Sequence, residues 1–228
     1  MIEPLIVKFY KKIPQPTPAD DADLWEAGVQ EAMREFRQSV KNNYTEGTLQ
    51  RLLAHPVVPA RQGAVLALGL VGTMESNAAL AGALKDEDAL VRKFAHDALW
   101  EVWLRGGTVD HAWQLRQAIQ LPDFAQALAA LDELVAEAPG FAEAYNQRAI
   151  LFFRRGEFAR SVSDCQQALR LNPFHFGAAA GMGQCFLKMK KPRAALRAFK
   201  QALEINPSLD HLRDAVKALR DSLEGNGE

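Results

Sequence analysis

Residues 179–207 read AAGMGQCFLKMKKPRAALRAFKQALEINP, and this stretch decides the architecture. Ala194, Ala195, Ala198, Phe199, Ala202 and Leu203 recur at offsets of three and four, which gathers them on one stripe of a helix. Pro207 then stops the chain from continuing as helix. The same pattern occurs earlier at a period of about 34 residues: Pro139, Pro173 and Pro207 are in register, as are Ala127, Ser161 and Ala195, and Leu131, Cys165 and Phe199. Repetition at a fixed period of this size is the mark of a stacked array rather than of one closed core.

Toward the N-terminus the period is shorter, pairing Leu53 with Leu84, Arg61 with Arg92, Ala64 with Ala95, Ala67 with Ala98 and Leu68 with Leu99. The change places a boundary near Gly106-Gly107. Strand signals are almost absent. Helix starts carry capping pairs, Asp23 with Glu26 and Asp123 with Gln126, in which side-chain oxygens and first-turn amides satisfy each other. The spacing predicts a capping helix near 22–42, four helices to about 105, and further antiparallel pairs to about 223. The predicted fold class is all-α, an α-α superhelix forming a right-handed solenoid of helical repeats. Four segments follow: 1–44 with its capping helix, 45–107 and 108–207 as the two repeat arrays, and 208–228 as a closing helix and tail. In the closing helix Leu209, Leu212, Val216, Leu219 and Leu223 supply the apolar stripe.

The chain has 228 residues, 48% of them apolar and 24% charged, enough for a core of its own and unlike a disordered or collagen-like composition. A formal charge of -1 argues against binding driven by overall charge. Cys165 and Cys185 are too few for a disulfide framework or a cysteine zinc site and fit a reducing compartment. Met1 to Tyr10 has no basic start, and its apolar run is too short for a signal peptide or a membrane span. The expectation is a cytoplasmic protein without a membrane partner.

The units of the longer period resemble tetratricopeptide (TPR) repeats. The last carries Ala179, Met182-Gly183, Phe186, Ala195, Phe199, Ala202 and Pro207 at the motif positions; the middle one carries Tyr145, Arg148-Ala149, Phe152, Gly156, Ser161, Cys165, Ala168 and Pro173. Arg148 in place of Leu, and Cys165 in place of an aromatic, are departures. A first, degenerate unit keeps only its second helix, Asp123 to Ala138. Small residues such as Gly183 and Ala195 let two helix axes approach, while Pro173 and Pro207 close the units. The units of the shorter period resemble short HEAT repeats, with Leu84-Lys-Asp86-Glu-Asp88-Ala-Leu-Val91-Arg92 the most specific run. That resemblance implies that Asp86 and Arg92 tie adjacent units together; Arg61 is kept in the earlier copy, where His55 replaces the Asp.

Catalytic chemistry finds no foothold. His55, His96, His111, His175 and His211 are scattered and lack metal-ligand spacing. Asp86, Glu87 and Asp88 sit in a repeat turn, where acids cap the next helix. Gly63, Gly69 and Gly72 are close-packing positions rather than a phosphate loop. Cys165 and Cys185 occupy apolar places on repeat helices, as inert core thiols do. No catalytic residue, metal or cofactor is expected.

The TPR resemblance implies instead a groove on the first helix of each pair. The residues it assigns are Asn146, Ile150, Phe153, Arg154 and Arg155 in the middle unit, and Ala180, Gln184, Leu187 and Lys188 in the last. Ile150 and Ala180 stand where a carboxylate clamp needs polar groups, so chaperone-tail capture is not expected. From 141 to 207 there are eleven basic and four acidic residues, a regional charge of +7. The leading reading is a non-enzymatic adaptor whose groove takes a peptide or helix of a protein partner, acidic in character, with the HEAT part as a second surface or a cap. A nucleic-acid-associated basic adaptor is the second reading, with Trp100, Trp103 or Trp113 as stacking residues. A bilin-lyase-like HEAT enzyme is the third and weakest, since two units make a poor chromophore cradle.

Overall fold

The computed structural model describes residues 3–14 and 22–225, and every described element is helical. The helices are α1 (Leu5–Tyr10), α2 (Ala22–Asn43), α3 (Glu46–Leu52), α4 (Val58–Val71), α5 (Asn77–Ala83), α6 (Ala89–Leu104), α7 (Val109–Gln120), α8 (Phe124–Glu137), α9 (Ala142–Arg154), α10 (Phe158–Leu171), α11 (Phe176–Lys188), α12 (Pro192–Ile205) and α13 (Asp210–Gly225). A 3-10 turn, Met74–Ser76, precedes α5. The described residues form an all-α array of helical hairpins, as expected of helical repeats. It divides into two compact units, Met1–Val102 and Trp103–Glu228.

In the first unit α4 is nearly apolar all round because neighbours cover it on more than one side, whereas α6 keeps Lys93, Asp97 and Glu101 exposed along one side. Gly69 makes the closest approach possible: a methyl there would lie 3.0 Å from Cβ of Ala98. Gly63 does the same for α1, where a methyl would lie 3.1 Å from Cγ1 of Ile6. The short helix α1, which sequence periodicity leaves unassigned, buries Ile6, Val7 and Tyr10, and the Ile6 amide donates to the Tyr44 hydroxyl at 2.8 Å. A helix this short does not hold alone; packing on α4 holds this one. The capping pair assigned to Asp23 lies outside the described side chains.

The turn before α6 is tied by charge. Arg61, at the start of α4, donates Nε and Nη2 to the two oxygens of Asp86 at 2.8 and 3.0 Å, and Nη2 also reaches Glu87 at 3.0 Å. Arg92 turns back onto the carbonyls of Asp86 and Glu87 at 2.8 and 2.9 Å. Each carbonyl thus gains a charged donor in a turn that leaves carbonyls without helical partners.

The second unit stacks α7–α8, α9–α10 and α11–α12 and closes with α13. Asp123 caps α8 by accepting the Gln126 amide at 2.9 Å. Core clusters alternate along the stack: Leu115, Leu131, Leu134 and Phe141 in one, Ala149, Cys165, Ala178 and Cys185 in the next, Ala179, Phe199, Leu212 and Val216 in the last. Burying each large apolar side chain is worth about 1.5–3 kcal/mol. No hairpin buries its face without the next, so stability is shared across the stack. Leu212 and Val216 of α13 cover the apolar face that the last repeat would otherwise leave open.

Candidate partner-binding face

Backbone conformation sets the two hairpins first. Gly156 takes φ +80 in the turn from α9 to α10, a left-handed conformation that suits a residue without Cβ. One repeat later Lys190 fills the equivalent place with φ 56. The second helices then pack through small residues. A methyl on Gly183 would fall 2.4 Å from the Phe199 ring, and Ala195 is fully buried beside it. Ser161, the counterpart of Ala195, donates its hydroxyl to the Ala149 carbonyl at 2.8 Å and accepts the Cys185 thiol at 3.1 Å. Pro173 and Pro207 lie just past the ends of α10 and α12.

The groove positions do not share one environment. Asn146 is only 3% exposed, and its amide donates to Oε1 of Glu143 at 3.1 Å. This corrects its assignment as a contact residue: it is held inside, and a partner cannot reach it without breaking that bond. Ile150, Arg154, Gln184 and Lys188 are exposed. Phe153 is half-buried and meets the Phe158 ring edge-on with centroids 5.6 Å apart, while Leu187 is half-buried against the last core cluster. Arg155 is exposed, with its guanidinium 4.4 Å over the Phe124 ring. The open part of the face is therefore its C-terminal half, where α9 and α11 end.

The groove pattern does not anticipate what fills the other half. Glu143 sits at the base of α9 with its side chain fully buried, Oε2 at 2.8 Å from Nε2 of His175. Oε1 of Glu143 also accepts from Gln147 at 2.6 Å. Nδ1 of His175 accepts the Ala178 amide at 3.1 Å, so the ring carries its proton on Nε2 and donates it to Glu143. Trp103 stacks on that imidazole at 4.2 Å and tilts against Phe176 at 5.0 Å. The available sequence signal is a His just past a proline-ended turn, nearly one repeat after a Glu on the previous first helix.

Arg148, a departure from the repeat motif, is the hub of a second polar cluster. Nε and Nη2 donate to both oxygens of Asp164 at 2.8 Å, and Nη1 donates to Asp132 at 2.8 Å. The paired carboxylates raise the guanidinium pKa above its ordinary value, with the Asp164 hydrogen bonds the largest cause. Its partners join α8, α9 and α10. Leu at this place would have bound only through packing.

Charge across the two repeats is uneven. Arg148 and Arg160 are in ion pairs, whereas Arg154, Lys188, Lys190, Lys191, Arg193, Arg197 and Lys200 have no ion-pair partner among the described residues. Of the acids that could have balanced them, Asp132 is taken by Arg148. Trp103 is buried and unavailable for base stacking, and Trp100 is half-buried and donates Nε1 to His96 at 3.2 Å. Cys165 and Cys185 are buried, and burial pushes the Cys165 thiol up to about 12 and raises that of Cys185. Neither has thiolate character at neutral pH. Among the described residues no group of three or more His, Cys, Asp or Glu side chains could hold a metal ion, and no helix is long and apolar enough to cross a membrane.

Profiles of the tetratricopeptide repeat family match residues 142–175 and 178–209. The hairpins α9–α10 and α11–α12 are tetratricopeptide repeats. A TPR repeat-containing protein of Rhizobium etli is 36% identical over 100 residues, 44% of this chain and 49% of that protein. Superkiller complex protein 3 of Homo sapiens is 32% identical over 92 residues, 40% of this chain and 6% of its own length. The alignments thus span half or less of these relatives. Among solved structures, the first TPR of Spaghetti bound to an HSP90 peptide aligns at 19% identity and TM-score 0.47, over 51% of this chain and 92% of that one. A TPR protein of Thermus thermophilus aligns at 20% identity and TM-score 0.39, over 86% of this chain and 93% of that one.

Proposed function

We propose that the chain is a non-enzymatic interaction scaffold whose TPR repeats hold an acidic peptide or helix of a partner protein. The observation that carries this is the set of exposed cations without ion-pair partners where α9 and α11 end, Arg154 and Lys188 with Lys190 and Lys191 in the following turn, on the same repeats as the exposed Ile150. Unpaired charge steers an oppositely charged partner and sets the salt dependence of capture, while apolar burial holds it. Arg154, Gln184 and Lys188 are the polar contacts in this reading; Ile150, with the exposed edges of Phe153 and Leu187, is the apolar one. Arg155 contributes charge from its seat on Phe124.

The first unit is proposed as a pair of short HEAT-type hairpins. The support is Arg61 of one hairpin gripping Asp86 in the turn of the next, with Arg92 closing the same turn.

The test is binding of a labelled peptide rich in Glu and Asp, beside its Gln and Asn counterpart, to wild type and to a variant combining Arg154→Glu with Lys188→Glu. Wild type is expected to prefer the acidic peptide and to lose it as salt rises; the double variant should bind weakly with little salt dependence. Equal affinity of the two proteins would remove the face from consideration.

A further inference from the structure

The repeat register exposes a second surface, separate from the face just described. In α9 the row Gln147, Leu151 and Arg155 faces the preceding hairpin: Leu151 packs on the cluster built by Leu131, Leu134 and Val135 of α8, and Arg155 lies over Phe124. In α11 the equivalent row is Gly181, Cys185 and Met189, and Cys185 sits in a cluster with Val162, Cys165 and Ala168 of α10. Each row is covered by a second helix one repeat earlier. The same row in α7 is Trp113, Gln117 and Leu121, and there Trp113 is 63% exposed and Leu121 36% exposed. The three line a cleft of about 180 Å³ with Glu133 and Glu137 of α8 on its far wall.

A stacking row is shaped for a helix, since helices occupy it in the two copies that are filled. Its chemistry here differs from theirs. Between positions 109 and 137 the acids are Asp110, Asp123, Asp132, Glu133 and Glu137, against Arg116 as the single Lys or Arg. Glu133 has no polar partner among the described residues, and Glu137 is met by the amide of Gln114 at 3.4 Å. An indole face beside two carboxylates favours a cation whose stem lies on the ring while its head meets the acids. Trp is also enriched among the residues that dominate binding energy. We infer that the α7–α8 cleft receives an amphipathic helix of a partner protein, apolar along the side that meets Trp113 and Leu121 and bearing Lys or Arg along the flank that meets Glu133 and Glu137.

The inference is tested on the full chain with a labelled synthetic amphipathic helix of about five turns carrying Leu on one face and Lys on its flanks, beside a counterpart with Glu for Lys. Wild type is expected to bind the Lys helix saturably and at least about tenfold more tightly than the Glu helix. Trp113→Ala combined with Glu133→Lys should lose that binding, while Arg154→Glu with Lys188→Glu leaves it intact, which separates this surface from the TPR face. Trp113 and Glu133 are exposed, and circular dichroism checks that the variant keeps its helices. Equal affinity for the two helices, or retention of affinity by the Trp113 variant, overturns the assignment. A dimer seen in sedimentation that Trp113→Ala dissolves also overturns it, because the occupant is then a second copy of this chain.

Discussion

Glu143 and His175 meet at 2.8 Å with neither side chain reaching solvent, and the contact bridges the first helices of two successive repeats. Glu143 accepts from His175, Asn146 and Gln147, and His175 accepts the Ala178 amide. A buried network of this kind is costly to leave half made.

Glu143→Ala should therefore be among the most damaging single changes in the second unit. It strands the imidazole N–H and two amide groups, a loss of about 3 kcal/mol. Glu143→Gln keeps one acceptor and should cost less. The measurement is urea denaturation followed by helix circular dichroism. A Glu143→Ala protein with an unchanged midpoint would mean that water replaces the carboxylate, and the network would have no structural weight.

Arg148 gives a sharper test because its partners are known atom by atom. Arg148→Ala leaves Asp164, 6% exposed, without its fork, and breaking a buried pair from one side costs about 3–5 kcal/mol. Replacing both, Arg148→Leu with Asp164→Ala, should recover most of that stability, since the charge and its partner leave together. Equal loss in the single and double variants would show that shape at this joint matters more than charge.

Gly183 and Gly181 form a matched pair on α11. A methyl at Gly183 collides with the Phe199 ring at 2.4 Å, whereas one at Gly181 meets only the Cys165 sulfur at 3.6 Å. Gly183→Ala should destabilise by about 1–3 kcal/mol through overpacking. Gly181→Ala should be neutral or stabilising by up to about 1 kcal/mol, because Ala favours the helix. Thermal unfolding of the two variants side by side decides it, and a reversed order would refute the packing at the α11–α12 crossing.

These contrasts separate what is legible in the sequence from what is not. The TPR hairpins are readable because small residues, aromatics and prolines recur once per repeat, each for a packing reason that returns with the helix crossing. Gly63 and Gly69 do not recur, and are read as close-packing positions because no phosphate-loop ending follows them. The groove pattern misplaces Asn146 because it specifies which helix face a residue occupies; it does not specify what lies over that face. Trp103 and His175, far apart in the sequence, stack on each other, and His175 and Asn146 share the buried Glu143 carboxylate. Arg148 looks like a flaw in the motif, because its carboxylates come from two other helices. Helix α1 escapes the pattern because so short a segment carries too little periodicity, and it exists through burial on α4.

Asp88 links the first unit to pH. Gln62 donates to its Oδ1 at 3.0 Å and Val91 donates its amide at 2.9 Å, and Arg61 lies nearby. These hold the carboxyl below its ordinary value, the Gln62 hydrogen bond most of all, against the opposing effect of burial. The folded protein then holds fewer protons at this site than the unfolded chain when pH falls below the unfolded value of about 4. The stabilisation is complete above that value and is lost as pH drops through the depressed folded value. Asp88→Asn should consequently lower stability at pH 7 by about 1 kcal/mol and flatten the fall in stability below pH 4, with the cap to Val91 retained through the amide oxygen. Gln62→Ala, which removes the largest cause, should flatten it in part. Denaturation midpoints of the three proteins between pH 3 and 7 provide the check. Parallel curves for all of them would mean that Asp88 titrates as it does in the unfolded chain, and that the turn before α6 is held by Arg61, Asp86, Glu87 and Arg92 without it.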